Sequence, residues 1–280
     1  MKLTIGIPVY DDWDGFYFTI QSIRLFHPEV MDKIRFVVIN NNPSSKQGKE
    51  LKKFCESDWI KQPLDYLETD NSRGAFSKEL VFSVAKTPYV LVLDCHVLIK
   101  SGGLSSLIGF FESGNDNGGL VHGPLLYDDM KIGSTHMKPT WGSGMLGQWD
   151  YDERVRTHSY FEIPSHGMGL FACRKDAWLG FPEKSSGFGG EEYVIHNKFR
   201  NAGKKVWCLT DLQWLHRFKR PSGAPYPCSK ESKYKNIIRG LLHEGGSVVE
   251  ANRHFIETQG VDEDTVREWM NVILRENAIS

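Results

Sequence analysis

Five consecutive apolar or aromatic residues, Tyr89-Val90-Leu91-Val92-Leu93, run straight into Asp94-Cys95-His96. An unbroken apolar run of this kind suits a strand covered on both faces, which is how strands of parallel sheets sit inside α/β domains. Side chains alternate along a strand, so Asp94 and His96 project to one side and Cys95 to the other. A carboxylate and an imidazole leaving the core together can hold a divalent cation in the crevice where α/β folds bind ligands. The same short pattern also reads as an Asp capping a turn beside a polar surface His.

The rest of the chain agrees with an α/β fold. Strand-like runs at 3–9, 34–39, 89–93, 119–123, 169–173 and 205–209 are separated early on by helix-like stretches at 15–26, 47–55, 77–85 and 104–112. That alternation predicts a mostly parallel central sheet flanked by helices and built from right-handed crossovers. Regularity fades between 127 and 164, a stretch with Trp141, Trp149, Tyr151 and Tyr160 that reads as a long functional loop or insertion. Residues 1–220 are expected to form one domain, a catalytic one if the strand-end residues Asp94 and His96 serve chemistry. Residues 221–280 add a flexible basic segment and a C-terminal helical tail packed on the same domain, with helices predicted at 233–243 and 262–277.

Composition excludes several classes. A chain of 280 residues that is 40% apolar and 25% charged is soluble and globular, with room for a sizeable core. Its formal net charge of −1 demands neither a nucleic-acid nor a membrane partner. The 5 cysteines include no C-x-x-C pair, which speaks against a disulfide framework or zinc knuckle and for a reducing, cytoplasmic setting. No apolar run reaches the length of a membrane span, and Leu3 already opens the first strand, which leaves no signal peptide.

A second constellation lies far downstream. Gly187-Phe188-Gly189-Gly190-Glu191-Glu192 precedes a helix predicted over 193–202. Glycines let a backbone approach a ligand closely, and carboxylates at a helix start suit its dipole. A strand at 207–210 then leads to His216, a third ligand able to close a cation site from a distance. Beyond it the chain turns basic, with Arg217, Lys219, Arg220, Lys230, Lys233, Lys235 and Arg239 against Glu231. Such a stretch suits a pyrophosphate or another polyanion, and reads best as a mobile lid over it.

These pieces, in this order and spacing, resemble the GT-A glycosyltransferases, in particular the branch with the polypeptide N-acetylgalactosaminyltransferases and family-2-like enzymes. Ile5-Gly6-Ile7-Pro8-Val9-Tyr10-Asp11-Asp12 is similar to the family's opening nucleotide-pocket segment, and Asp94-Cys95-His96 to its D-x-H metal motif. Phe188-Gly189-Gly190-Glu191-Glu192, followed by His216, resembles the W-G-G-E-[ND] segment and its later metal-binding His. The resemblance covers about residues 1–220. It implies Mn²⁺ or Mg²⁺ held by Asp94, His96 and His216, and a nucleotide-sugar donor, a UDP-sugar in the first instance. It places Pro8, Tyr10 and Asp12 around base and ribose, and Asn40 or Asn41 on the uracil edge. Arg73 and Lys78 fall near ribose or phosphates, Gly167, Gly169 and Gly190 near the transferred sugar, and Arg217 in the phosphate lid. Glu191 matches a carboxylate that binds sugar hydroxyls. Glu192 stands where inverting relatives carry an acid, although D-x-H belongs to the retaining branch; the acid favours a general base and inversion.

The acceptor is open at this stage: a glycan, a protein, a lipid or a modified base in DNA, as in phage enzymes that glycosylate hydroxymethylated pyrimidines. Two rival classes are a nucleotidyltransferase and a non-catalytic nucleotide-sugar-binding module. The first expects a Gly-rich basic loop where this chain has Tyr10-Asp11-Asp12-Trp13-Asp14; the second expects a gap among Asp94, His96, His216 and Glu192.

Overall fold

The computed structural model describes residues 1–69, 74–142, 146–182, 184–219, 223–244 and 246–278. Its centre is an eight-stranded sheet whose apolar strands β1 (Leu3–Val9), β2 (Ile34–Asn40) and β4 (Tyr89–Leu93) run parallel side by side. β3 (Leu64–Glu68) closes the edge beyond β2. On the other side of β4 lie β12 (Leu170–Arg174), β6 (Leu120–His122), β13 (Val206–Leu209) and β11 (Tyr160–Glu162), with β12 antiparallel to β4. The chain therefore runs outward from β1 through β2 to β3 and returns to β4 on β1's opposite flank. That reversal is a topological switch point, and it opens a crevice beyond the C-terminal ends of β1 and β4.

Helices α1 (Trp13–Phe26), α2 (Lys46–Cys55), α3 (Lys78–Val84) and α4 (Gly103–Glu112) cover the sheet. α1 buries Phe16, Thr19, Ile20 and Ile23, the i, i+3, i+4, i+7 stripe of a helix lying on a core. A smaller sheet pairs β5 (Val97–Ile99), β14 (Trp214–His216), β7 (Leu125–Leu126) and β8 (Ile132–Ser134). The stretch at 127–164, expected as a long loop or insertion, contains four strands: β8, a hairpin of β9 (His136–Trp141) and β10 (Leu146–Asp150), and β11. Pro139 and several exposed polar residues in β9 hide the alternation by which a strand is recognised.

The C-terminal residues form α6 (Lys230–Glu244), α7 (Val248–Arg253) and α8 (Glu263–Ala278), after α5 (Glu191–Asn201). Tyr234, Ile237, Ile238 and Leu241 of α6 pack with Phe255, Val266 and Ile273 in a core of their own. α6 is also fastened to the glycine-rich loop before α5. Asn236, buried on α6, accepts from the Ser186 N–H at 3.2 Å and donates to the Ser186 and Gly189 carbonyls at 2.9 and 3.0 Å. The loop needs such fixing, because Gly189 and Gly190 stand at φ +95° and +90°, a backbone region that only glycine adopts at little cost. Asn236→Ala is therefore expected to lower stability by about 1–3 kcal/mol, the cost of stranding buried polar groups. A reduced midpoint in urea unfolding checks it.

Candidate active site

The three candidate ligands, distant in sequence, meet at the crevice. β4 ends at Leu93, and the Asp94 N–H donates to the Gly169 carbonyl at 2.9 Å, an extension of the β4–β12 pairing. β14 pairs antiparallel with β5 and sets His216 opposite Val97, one residue after His96. Sheet register thus delivers the second imidazole to the first. His96 Nε2 and His216 Nε2 lie 3.1 Å apart, and His216 Nε2 is 3.4 Å from Asp94 Oδ2. These donor atoms all fall within 4.8 Å of one another. Cys95 and His96 lie in a turn rather than on the extended strand end that alternation assumed, so the buried Cys95 Sγ does not point away but sits 3.5 Å from His96 Nδ1, in a second such group with Asp12.

Charge reinforces the geometry. Lys78, almost wholly buried, pairs with Asp94 Oδ1 at 3.1 Å and donates to the Met168 carbonyl at 2.8 Å. Burial alone would push the Asp94 carboxyl up, but the Lys78 ammonium and the two imidazoles override it and hold it well below the usual carboxylate range. Burial pushes His216 down despite the Asp94 carboxylate, which favours the neutral, metal-binding form of the ring. The Lys78 ammonium is held above its ordinary value, because Asp94 and Glu191 outweigh the burial that opposes it.

Two cavities adjoin this cluster and share Lys78, Asp94, Phe188 and Tyr226 as walls. The smaller, of about 250 Å³, is lined by Pro8, Tyr10, Asp12, Asn41 and His96. The larger, of about 910 Å³, is lined by Gly167, Gly169, Gly190, Glu191, Glu192 and His216 among others. Trp149, Trp214 and Phe218 add aromatic surface to the larger cavity. Tyr226 lies against Phe188 with ring centroids 4.8 Å apart, so the stretch at 223–227 lies over both spaces.

Not every candidate reaches these cavities. Asn40 turns inward: its amide nitrogen donates to the Gly48 carbonyl and the Tyr66 hydroxyl, and its oxygen accepts from the Asn42 N–H. Asn41 does reach the smaller cavity. Its amide nitrogen donates to the Ser77 hydroxyl at 2.9 Å, and its buried oxygen has no hydrogen-bond partner among the described residues. Arg217 donates its backbone N–H to the His96 carbonyl at 3.3 Å, while its side chain is exposed and lines neither cavity. Arg73 lies outside the described residues. His166 is fully buried beneath Gly167, stacked on His122, which in turn meets His196 at 2.9 Å. Burial pushes the His166 imidazole down to about 4, so the ring stays neutral under the cavity floor.

The two acids differ. Glu191 is 2% exposed, its Oε2 has no partner among the described residues, and burial next to Glu192 raises its carboxyl to about 8. Glu192 is half-buried, and burial raises its carboxyl also. Burial thus favours the neutral form of both carboxyls, and Glu191 is poised to donate a hydrogen bond at neutral pH. Asn236 is a site-building residue that sequence patterns missed, because its partners lie far along the chain; Lys78, expected near ribose or phosphates, lines both cavities and pairs with Asp94.

No family model matches the sequence, and no curated protein is significantly similar to it. Comparison with solved structures does find the fold. A structure of GalNAc-T7 with UDP, GalNAc and Mn²⁺ superposes with a TM-score of 0.69 at 14% identity, over 97% of this chain and 55% of that one. S. aureus TarS 1–349 in complex with UDP-GlcNAc gives 0.59 at 15% identity, over 97% of this chain and 79% of that one. The mannosyltransferase PcManGT from Pyrobaculum calidifontis, in complex with GDP-Man and Mn²⁺, gives 0.57 at 14% identity, over 100% and 75%. The chain spans about half the length of the GalNAc-T7 chain it matches. At such identities the likeness is one of architecture: the chain has the GT-A fold.

Proposed function

We propose that the protein is a metal-dependent glycosyltransferase that moves a sugar from a nucleotide-sugar donor, a UDP-sugar, to an acceptor hydroxyl. The observation that carries this reading is the meeting of His96 Nε2, His216 Nε2 and Asp94 Oδ2 at the switch-point crevice, between a base-sized cavity and one lined by paired acids. Two imidazole nitrogens and one carboxylate oxygen make a donor set that fits Mn²⁺ better than Mg²⁺, which prefers oxygen and water. When bound there, such a cation would supply Lewis-acid stabilisation of a leaving diphosphate.

The surrounding side chains fit the same chemistry. The unpartnered Asn41 oxygen offers an acceptor for the imide N–H of uracil, with Pro8 and Tyr10 alongside. Glu191 would bind hydroxyls of the transferred sugar, and Gly167 and Gly169 line the same cavity, where the absence of their side chains makes room for the rings of Trp149, Trp214 and His216. Glu192 would take the proton of the acceptor hydroxyl, which favours inversion at the anomeric carbon. Donor, cation and Glu192 role are all open to test. Thermal unfolding with UDP-, GDP-, CDP- and TDP-sugars, each with and without Mn²⁺, is expected to give its largest stabilisation with a UDP-sugar plus Mn²⁺. His216→Ala should erase the Mn²⁺-dependent part of that shift. A parent protein that no nucleotide sugar stabilises would overturn the proposal. Among the described residues no helix is long and apolar enough to cross a membrane.

A further inference from the structure

We infer that Asp12 is a positioning residue for the cation site: it holds the His96 ring in the tautomer that presents the Nε2 lone pair to the other two ligands, a role distinct from flanking the nucleotide. The inference rests on the cation site proposed above and goes beyond its three ligands.

His96 Nδ1 lies 2.9 Å from Asp12 Oδ2, and both side chains are buried. An ionised carboxylate only accepts hydrogen bonds, so the proton of a neutral His96 ring belongs on Nδ1. Nε2 is then left with its lone pair, aimed at His216 Nε2 and the Asp94 side. That is the arrangement in which an outer carboxylate orients a metal-bound imidazole and raises its basicity. His216 lacks an equivalent brace, since its Nδ1 is buried with no partner among the described residues. The two imidazoles are therefore unlike: only His96 has a carboxylate behind the ring nitrogen that faces away from the other ligands.

Asp12 is itself fixed by its place in the chain. Its other oxygen, Oδ1, caps α1 by accepting from the Gly15 N–H at 3.1 Å. A side chain at Gly15 would begin 2.6 Å from that oxygen and 2.9 Å from the Cys95 carbonyl, so only glycine lets the helix start dock this closely on the turn after β4. One turn further along α1, the Thr19 hydroxyl lies 3.1 Å from the Cys95 carbonyl and 2.9 Å from that of Val97, and accepts from the Val97 N–H at 3.0 Å. Helix α1 thus fixes the backbone on either side of His96 through Thr19, and the ring through Asp12.

The test is Asp12→Asn. Asparagine caps a helix as well as aspartate does, so α1 keeps its start. Its amide nitrogen, turned to His96, would donate where the carboxylate accepted, and so drive the ring proton onto Nε2. Mn²⁺ binding to the donor-free protein, measured by calorimetry or by loss of the free-ion electron spin resonance signal, is expected to weaken about 10- to 100-fold. The metal-free unfolding midpoint should hardly move. A metal affinity indistinguishable from that of the parent overturns the role of Asp12. A parent that takes up no Mn²⁺ overturns instead the cation site itself, and this proposal with it. A measurement on the unaltered chain stands independent of how the variant folds. In ¹⁵N-histidine spectra of the metal-free protein, the ring identified by its loss in His96→Gln should carry its proton on Nδ1. A proton on Nε2 overturns the proposal.

Discussion

Glu192→Gln is expected to lower turnover by about 10²–10⁴-fold, the usual contribution of a positioned general base, while donor binding stays close to that of the parent. Glutamine keeps the shape of the side chain and its place in the first turn of α5, where Glu191 and Glu192 follow Gly190. What it loses is the ability to take a proton. Burial raises the Glu192 carboxyl above its ordinary value. A base must be deprotonated to act, so kcat/KM of the parent should climb with pH through a pKa above the ordinary carboxylate range, and this limb should vanish in the variant. Single-turnover rates, donor titrations and the anomeric configuration of the product together decide the matter. A variant as fast as the parent would leave Glu192 a role in placing the acceptor only; a retained configuration would remove the need for a base at this position.

The site was more legible than the parts that brace it, and the reasons are physical. Asp94 and His96 sit just past the end of a strand whose apolar run is unmistakable, and His216 follows another strand-like run, so the candidate residues and their order were visible. The pairing of β14 with β5 that seats His216 beside His96 involves three-residue strands, too short to announce themselves by alternation. β3 was missed for a related reason: it is an edge strand, half-buried, with acidic residues in a short run. The braces are harder still. Asp12 looks like an ordinary helix cap, because its second oxygen finds His96 only when α1 docks on the turn after β4. Asn236 looks like a polar interruption in a C-terminal helix, because its partners, Ser186 and Gly189, lie 50 and 47 residues earlier in the chain. Asn40 fails in the opposite sense. A strand-end amide beside a nucleotide pocket reads as a ligand, yet local needs of the backbone and Tyr66 absorb it.

The largest expected loss of stability falls on Lys78. Its ammonium is almost wholly buried, pairs with Asp94 and lies within the field of Glu191 and Glu192, so a single cation offsets three acids. Lys78→Met keeps most of the apolar stem and deletes the charge. Breaking a buried pair from one side costs about 3–5 kcal/mol, because the remaining charge is stranded. The lower end is expected here, since the Asp94 side chain is 27% exposed and water can still reach it. The acid limb supplies a check of sign. The Asp94 carboxyl is depressed in the folded protein, so the stability it contributes is present above its unfolded pKa, about 4, and is lost as pH falls through and below that value. In Lys78→Met that dependence should flatten. Urea unfolding in the presence of a chelator, at neutral pH and near pH 3, reads both effects; a lowered midpoint with unchanged slope reports stability alone. Mn²⁺ should then stabilise the variant, replacing at Asp94 the positive charge that was removed. An unchanged midpoint at neutral pH would mean that Lys78 is not what holds the acids of this crevice together.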